Sequence, residues 1–167
     1  MVHLHRLSSW RVAREAAESD GWVLGATGDW SWLYRSPDGD QAWRITPFDP
    51  AFRAFAEVCR TSTNLHLPRI LEVHDHTDAG YSVIMEWLEP VAKVAADQWF
   101  EEFEQAVEGE LARFRRLLID AADRLDLPLF AGIDRNPTNV LRRPSDGTHV
   151  FTDAFYINGP RLFEMLE

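Results

Sequence analysis

The chain has 167 residues, of which 46% are hydrophobic, and a formal net charge of −10 at pH 7. This length predicts one folded domain, which we expect to divide into two lobes. The negative charge disfavours nucleic acid and anionic membranes as partners, and no run of about 18 apolar residues predicts a membrane span.

The N-terminal segment and the single cysteine narrow the cellular setting. The opening sequence MVHLHRLSSWRVAREAAESDGW mixes charged residues throughout and lacks the apolar core of a secretory signal, so we expect a cytoplasmic protein. Cys59 is the only cysteine, which excludes an internal disulfide and a multi-cysteine metal site. We expect it to be a small packing residue in a helix.

The first half of the chain predicts an opening helix and then a five-stranded antiparallel sheet with a second helix. Apolar residues at helical spacing in 7–18, with Ser8 or Ser9 as the cap, predict the first helix. Apolar and aromatic runs, separated by glycines and by the turn SPDGD, predict three strands. The turn TDAG predicts a hairpin of two more strands. The dipeptide Asp-Pro opens the second helix. The expected bounds are 22–26, 29–36 and 41–46 for the first three strands, about 50–61 for the helix, and the segments RILEVHDH and GYSVIMEWL for the hairpin.

The second half predicts helices and then a short hairpin. Residues 94–126 are rich in helix formers with apolar residues on one side, as expected for one long helix or for two helices broken near Gly109. The remaining elements are a loop at 128–138, strands near 139–142 and 148–152, and a short helix after Gly159.

The stretch GIDRNPTNVLRR and the later TDAFY hold the polar residues best suited to chemistry. The Asn-Pro dipeptide predicts a rigid loop, since a residue before proline avoids the helical region. At the ends of neighbouring hairpin arms, Asn139 and Asp153 would offer the amide and carboxylate oxygens that Mg²⁺ accepts. Asp134 could then take the proton of an attacking hydroxyl. Each residue also has an ordinary interpretation, as turn former, loop cap or strand-end turn, and the D-x-x-x-x-N spacing alone is a weak signal.

Phosphoryl transfer also needs a cradle and a cation for the phosphates, and the first half of the chain offers candidates for both. LGATGDWSWLYR places Gly25 and Gly28 in the turn between the first two strands, where backbone can approach phosphates; the alternative is an ordinary glycine-containing hairpin. AWRI places Arg44 among apolar neighbours at the end of the third strand. An inward arginine needs an anionic partner, which predicts an ion pair with Glu57 on the next helix; the alternative is two exposed charges.

In this order the motifs resemble those of the protein-kinase-like superfamily, especially its compact aminoglycoside-phosphotransferase and small bacterial or phage kinase branches, over about residues 22–158. The resemblance implies an α+β, minimal protein-kinase-like fold. Its parts would be an N-terminal helix (1–20), an N-lobe (21–90) with a five-stranded antiparallel sheet and one helix, and a reduced, mostly helical C-lobe (91–167) with a catalytic-loop hairpin. It also implies that the protein binds ATP and Mg²⁺.

The resemblance assigns roles to individual residues. Asp134 is similar to the catalytic base of the family, and Asn139 and Asp153 are similar to its Mg²⁺ ligands. The hinge, which holds adenine mostly through backbone groups, corresponds to the segment IMEWLEP. The residues implied in nucleotide binding are Gly25, Gly28, Arg44, Glu57, Glu86 and Leu88.

Several features depart from the family pattern. Arg44 replaces a lysine whose compact ammonium a planar guanidinium does not reproduce, and Gly132 stands where a histidine usually precedes the catalytic aspartate. The chain ends 14 residues after Asp153, so we expect the acceptor-binding platform to be missing or to come from a partner or a second copy. The apolar segment 155–166 is expected to pack against the long helix, or to form a dimer or partner surface.

Two hypotheses from different classes follow. The first is an ATP- and Mg²⁺-dependent phosphotransferase that acts on a protein or a small molecule. The second is a kinase-like regulatory module, a pseudokinase, that binds a partner protein without turnover; a small α/β domain without a nucleotide site is a third. His74 and His76 share a strand face and could begin a zinc site, but no third ligand is evident. The tryptophans on predicted strands are expected in the core.

Overall fold

The structure, a computed structural model, confirms the α+β class. It contains four helices and a five-stranded antiparallel sheet among the residues that it describes. Within the same residues, no helix combines the length and the hydropathy needed to cross a membrane. The described residues are 7–28, 31–124 and 130–157.

The described chain packs as two compact units. Unit 1 is drawn from residues 1–50 and 69–87, and unit 2 from residues 51–68 and 88–167. Residues 51–68 include most of the second helix, which the sequence analysis assigned to the first lobe. By their contacts these residues belong to unit 2.

Unit 1 begins with helix α1, Trp10–Ser19, close to the predicted 7–18. Ser9 caps this helix, because its hydroxyl accepts a hydrogen bond of 3.1 Å from a backbone amide of the first turn. Ala13 and Ala17 are fully buried. Their small side chains let the helix backbone lie close to the sheet beneath it.

The strands of unit 1 are β1 (Val23–Thr27), β2 (Trp32–Arg35), β3 (Gln41–Thr46), β4 (Ile70–Asp75) and β5 (Tyr81–Glu86). They form one antiparallel sheet in the order β1-β2-β3-β5-β4. The sequence predicted all five strands near these bounds. Strand β5 is buried along nearly its whole length, and it lies between β3 and β4 in the sheet.

The core of unit 1 surrounds Trp43, which is fully buried on β3. Trp22 meets it edge to face, with ring centroids 5.4 Å apart. The expectation that strand tryptophans are core residues is thus confirmed for these positions, while Trp30 lies outside the described residues. The buried members of the core are Ala13, Ala17, Trp22, Tyr34, Trp43, Ile45 and Ile84, and Leu7, Trp10, Ala16 and Trp32 pack against them.

The β4–β5 hairpin holds the chain that leads into α1. His74 Nε2 and His76 Nδ1 each lie 3.1 Å from the carbonyl oxygen of Leu7. Since a carbonyl only accepts, both nitrogens carry a hydrogen and donate it. In its neutral form His76 then accepts through Nε2 from the hydroxyl of Ser82, 2.9 Å away. The amide and the hydroxyl of Thr77 both donate to the carbonyl of Ser8.

The helices of unit 2 are α2 (Pro50–Thr61), α3 (Lys93–Gln105) and α4 (Gly109–Arg124). The sequence predicted α2 closely and left open whether 94–126 is one helix or two. The break falls at Gly109, whose φ of +81° lies in the region that favours glycine. Val107, which was expected on the apolar side, is 86% exposed, because it belongs to the connection between the two helices.

Short strands complete unit 2: β6 (Glu89–Pro90), β7 (Phe130–Ile133), β8 (Val140–Arg142), β9 (His149–Phe151) and β10 (Phe155–Ile157). Strands β6, β8 and β9 form one antiparallel sheet, and β7 and β10 form another. The hairpin predicted near 139–142 and 148–152 is therefore present as β8–β9.

Two of these strands differ from the sequence prediction. Strand β7 lies inside the predicted loop 128–138, which is wrong for residues 130–133, and β10 was not predicted at all. Strands this short contain too few residues to show a period of two, and each is defined only by its pairing with the other. The helix predicted after Gly159 lies outside the described residues.

An aromatic cluster fills the interior of unit 2. Trp99 of α3 stacks on Phe103 with centroids 5.4 Å apart, and it also meets Phe151 of β9 at 5.7 Å. Cys59 is buried on α2, and this burial raises the pKa of its thiol, as expected for a packing residue. The members of the cluster are His66, Trp99, Phe100, Phe103, Phe114 and Phe151.

The apolar C-terminal segment is described only at its beginning. Phe155 is buried and meets Phe55 of α2 edge to face at 5.7 Å, whereas Tyr156 is exposed. Ile157 ends β10, and the remaining apolar residues of that segment lie outside the described residues, so the predicted dimer or partner surface stays a prediction.

Replacing Gly80 by alanine is expected to destabilise the protein by about 1–3 kcal/mol. An added Cβ would lie 2.8 Å from the carbonyl oxygen of Thr46 and 3.0 Å from Cδ1 of Trp10, so β5 or α1 would have to shift. Gly28→Ala is the matched control, because its added Cβ would meet nothing closer than 3.5 Å. Chemical unfolding measures both variants, and equal stabilities would contradict the close approach at Gly80.

The buried His76 and the half-buried His66 predict a loss of stability as the pH falls. Burial lowers the pKa of His76 and of His66 from the ordinary value, whereas the unfolded chain keeps a value of about 6.5. Below that pH the unfolded state binds more protons than the folded state. The free energy of unfolding therefore decreases as the pH falls through about 6.5 and towards the lowered folded-state values.

Urea unfolding between about pH 8 and pH 5 measures this effect. The pH dependence is expected to be shallower in His76→Gln than in the wild type, because one of the two responsible histidines is gone. His149→Gln serves as a control for removal of a histidine from unit 2. A variant His76→Gln with the full wild-type pH dependence would show that burial of His76 does not contribute.

Candidate functional site

Three of the predicted site residues come together in unit 2. Asp134 follows β7, Asn139 ends a single 3-10 turn before β8, and Asp153 follows β9. The amide of Asp134 donates to the carbonyl of Ala154 at 2.9 Å, and the amide of Thr152 donates to the carbonyl of Asn139 at 2.8 Å. These backbone bonds fix the three chain segments side by side.

The loop that carries Asp134 is held by its own hydrogen bonds. Asp134 Oδ1 accepts from the amide of Asn136 at 3.0 Å. Asn136 Oδ1 in turn accepts from the amide and the hydroxyl of Thr138, at 3.1 and 2.8 Å. Pro137 opens the 3-10 turn with its fixed φ. These local bonds are the structural counterpart of the rigid loop that the Asn-Pro dipeptide predicted.

Gly132 has a backbone reason for its identity. Its φ is +127°, a conformation that residues with a side chain rarely adopt. A histidine, which the resemblance places at this position, would be strained in this backbone. The backbone conformation at the end of β7 therefore explains why a glycine, and not a histidine, stands at position 132.

The side-chain amide of Asn139 joins the two carboxylate-bearing segments. Its Nδ2 donates to Asp134 Oδ2 at 2.9 Å and to the backbone carbonyl of Asp153 at 3.0 Å. A primary amide has two hydrogens on nitrogen, and both are used here. Its remaining hydrogen-bonding atom, Oδ1, can only accept a hydrogen bond or bind a cation.

The donor set of this cluster fits a hard divalent cation. Asn139 Oδ1 and the Asp153 carboxylate are oxygen donors of the kind that Mg²⁺ and Ca²⁺ prefer. A site with so few protein ligands leaves coordination positions for water and for phosphate oxygens. Asp134, which is half-buried and already oriented through both of its oxygens, can accept a proton without serving as a ligand.

Two arginines near the cluster in sequence were not singled out by the sequence analysis. Arg135 Nε binds Glu104 Oε1 at 2.9 Å and so connects the loop to the end of α3. Arg143, which directly follows β8, is a buried arginine. The only sequence signal for Arg143 was its position shortly after the apolar pair Val140-Leu141.

Gly25 and Gly28 are both in unit 1, but only Gly28 adjoins the turn in which the sequence analysis placed them. Gly25 lies within β1, where the register with β2 shifts, and an added Cβ would be 3.4 Å from Cη2 of Trp87. Gly25 therefore makes room for this indole. Gly28 follows β1, and its amide binds the carbonyl of Ser31 at 2.9 Å. Neither glycine has a positive φ.

The predicted hinge has backbone donors that are already engaged within unit 1. The amide of Glu86 donates to the carbonyl of Arg69 at 3.0 Å, and the amide of Trp87 donates to the carbonyl of Asp40 at 2.8 Å. These two amides are therefore not available to an adenine ring in this conformation. Leu88 is buried and is the first residue of the next segment of unit 2.

Arg44 and Glu57 each have a partner in their own unit. Arg44 Nη2 binds Asp49 Oδ2 at 2.7 Å, with both side chains largely buried, and the carbonyl of Asp49 accepts from the hydroxyl of Tyr81 at 2.7 Å. Asp49 is thus an anionic partner of Arg44, where the sequence analysis predicted Glu57. Glu57 is exposed on α2, where it pairs with Arg60 at 3.3 Å and with a second arginine of the same helix. The inward position of Arg44 was predicted correctly, but the carboxylate that binds it is that of Asp49.

The two histidines considered for zinc lie close together, as their alternate spacing predicted. The ring centroids of His74 and His76 are 5.1 Å apart, and one nitrogen of each ring points at the carbonyl of Leu7. Within the described residues, no group of three or more His, Cys, Asp or Glu side chains could hold a metal ion.

No family model matches this chain, and a search of curated proteins found no significant match.

The substitution Asn139→Leu is expected to destabilise unit 2 by about 1–3 kcal/mol. It removes both amide donors and leaves the Asp134 carboxylate and the Asp153 carbonyl without them. Arg135→Ala is the control in the same loop, because its ion pair with Glu104 is exposed and such pairs contribute about 0–1 kcal/mol. Chemical unfolding of the two variants compares these contributions, and a smaller loss for Asn139→Leu than for Arg135→Ala would contradict the structural role of the amide.

Proposed function

We propose that this protein transfers a phosphoryl group from a nucleoside triphosphate, in an Mg²⁺-dependent reaction whose chemical residues lie in unit 2. The observation that carries the proposal is the amide of Asn139, which bonds to both Asp134 and the backbone of Asp153. This arrangement supports the proposal because it joins the carboxylate of Asp134 to the two segments that carry the proposed ligands, Asn139 and Asp153. A kinase-like fold is the finer assignment that we propose with it, supported by the five-stranded antiparallel sheet and the β8–β9 hairpin.

Asp134 is the proposed general base. It would accept the proton of an acceptor hydroxyl while that oxygen bonds to the γ-phosphorus and the bond from phosphorus to the β-bridging oxygen breaks. The products would be the phosphorylated acceptor and a nucleoside diphosphate. Hydrogen bonds from Asn136 and Asn139 fix the direction of the carboxylate, so the base is oriented before the acceptor binds.

Asn139 Oδ1 and the Asp153 carboxylate are the proposed Mg²⁺ ligands. When bound, Mg²⁺ neutralises the negative charge of the phosphates. The chain's own contribution is to hold the two ligand-bearing segments side by side, because the amide of Thr152 donates to the carbonyl of Asn139. A reaction that consumes ATP also suits the cytoplasm, where we place the protein.

A second candidate function is a regulatory module that binds a partner protein without turnover. Unit 1 supports it, because residues that the resemblance assigns to the nucleotide have structural roles there. Arg44 is bonded to Asp49 at 2.7 Å, and Gly25 accommodates the indole of Trp87. Because Arg44 and Gly25 already have these roles, they are less suited to contact the phosphates and the adenine of a nucleotide, and efficient transfer depends on such contacts.

Nucleotide binding and phosphoryl transfer, measured separately, distinguish the two functions. Calorimetry with ATP is expected to show binding that depends on Mg²⁺ in the wild type and loses this dependence in Asp153→Asn. Transfer of radiolabelled phosphate to a panel of hydroxyl acceptors is expected to fall by at least about 100-fold in Asp134→Asn, with ATP binding retained. Arg142→Met is the control. Arg142 is on the β8–β9 hairpin, and its side chain forms an exposed ion pair with Glu89 of β6.

The outcomes separate the hypotheses. Mg²⁺-dependent binding without transfer to any acceptor would favour the regulatory module over the enzyme. No binding of ATP by the wild type, with or without Mg²⁺, would contradict the proposed nucleotide site. Equal transfer rates in the wild type and in Asp134→Asn would show that Asp134 is not the base.

A further inference from the structure

A buried guanidinium links the β8–β9 hairpin to the chain that follows α2. Arg143 is only 4% exposed. Its Nη1 donates to the carbonyl of Leu65 and its Nη2 to the carbonyl of Leu67, each at 3.1 Å. A cation is costly to bury, so a site that buries one must supply matched acceptors. Two carbonyls of the same loop accept from the two arms of the guanidinium fork, and the carboxylate of Asp146 lies 3.8 Å from Nη1.

The residue between these two carbonyls is fastened to the same hairpin. His66 Nδ1 donates to the carbonyl of His149 at 2.8 Å, and the carbonyl of His66 accepts from the amide of Phe151 at 2.9 Å. Residues 65, 66 and 67 are thus each bonded to the β8–β9 hairpin. We call the segment 64–67 the clasp.

The clasp is also tied to helix α4. Asn64 Oδ1 accepts from the amide of His66 at 2.9 Å, and Asn64 Nδ2 donates to Glu110 Oε1 at 2.9 Å. The ring of His66 packs in the aromatic cluster, 5.6 Å from Phe114 of α4. The clasp therefore connects a helix to the hairpin and is not a free loop.

The hairpin that the clasp grips carries the two proposed metal ligands. Asn139 directly precedes β8, and Asp153 follows β9 after one residue, Thr152. Each arm has three residues, and hairpins of this size are marginal by themselves. Any splaying of the two arms would change the separation of the amide oxygen and the carboxylate, to which Mg²⁺ affinity is sensitive.

We propose that Arg143 and His66 are positioning residues, which fix the two arms of the β8–β9 hairpin through the clasp and so set the separation of Asn139 and Asp153. The structural part of this proposal concerns the hairpin alone. The consequence for Mg²⁺ rests on the proposed function. The clasp acts from outside the ligand set, as outer partners do at metal sites generally.

Arg143→Met tests the proposal, and Arg142→Met is its matched control, because the two arginines are adjacent but Arg142 is exposed and bonded to Glu89. Hydrogen exchange of the Thr152 amide, which bonds to the carbonyl of Asn139, reports the hairpin without nucleotide or metal. Its protection is expected to fall at least about tenfold in Arg143→Met and to be unchanged in Arg142→Met.

The Mg²⁺ concentration that gives half-maximal ATP binding is the second readout. It is expected to rise by about tenfold or more in Arg143→Met, with binding recovered at saturating Mg²⁺, and to stay at the wild-type value in Arg142→Met. A purely structural role would lower the melting temperature without changing this concentration. Arg143→Lys keeps the charge but loses the fork, so an intermediate value is expected.

If Arg143→Met does not fold, His66→Phe gives the decision, because it keeps an aromatic ring in the cluster and removes the donor to His149. Unchanged Thr152 exchange in a folded Arg143→Met, or in His66→Phe where that variant decides, would overturn the clasp. Loss of exchange protection with an unchanged Mg²⁺ requirement would overturn its effect on the ligands. A wild type that binds no Mg²⁺-ATP would refute the proposed function and the metal consequence, while the exchange result would still decide the clasp.

Discussion

The candidate site depends on the orientation of one amide, that of Asn139. Its Nδ2 donates one hydrogen to the carboxylate of Asp134 and the other to the backbone carbonyl of Asp153. These two bonds fix the plane of the amide and therefore the direction of its oxygen. A side chain with an acceptor in place of either hydrogen would repel one of these two groups. This constraint explains why an asparagine, and not an aspartate, stands at the position where the loop meets the hairpin.

The two units use their polar residues differently. In unit 2 the polar groups of the loop and the hairpin converge on one cluster, and a buried arginine holds the hairpin to a neighbouring segment. In unit 1 the corresponding groups stabilise the unit itself, since Arg44 binds Asp49 and the amides of Glu86 and Trp87 bind carbonyls of the same unit. This difference is the physical basis for weighing a phosphotransferase against a module that has lost turnover.

Sequence patterns located most of the fold because most elements are long enough to show a period. The helices α1 and α2 and the five strands of the sheet were found close to their observed bounds, and the break at Gly109 was one of two stated alternatives. Strands β7 and β10 were missed because they pair across residues 134–154 and no turn motif joins them directly, whereas the equally short β8 and β9 flank the turn sequence PSDG. Arg44 was correctly read as inward, but its partner depends on where the chain turns after β3.

The sequence by itself determined the α+β class, the order of the larger elements and the identity of Asp134, Asn139 and Asp153 as residues that belong together, because periodicity and turn chemistry are local properties. Only the tertiary structure decided which groups each polar atom meets. It placed Gly25 against Trp87, gave Asp49 to Arg44, and buried Arg143 against two carbonyls far away in the chain. Whether two groups form a hydrogen bond depends on differences of a few tenths of an ångström in the distance between segments that are remote in sequence. No pattern along one strand or helix contains that information.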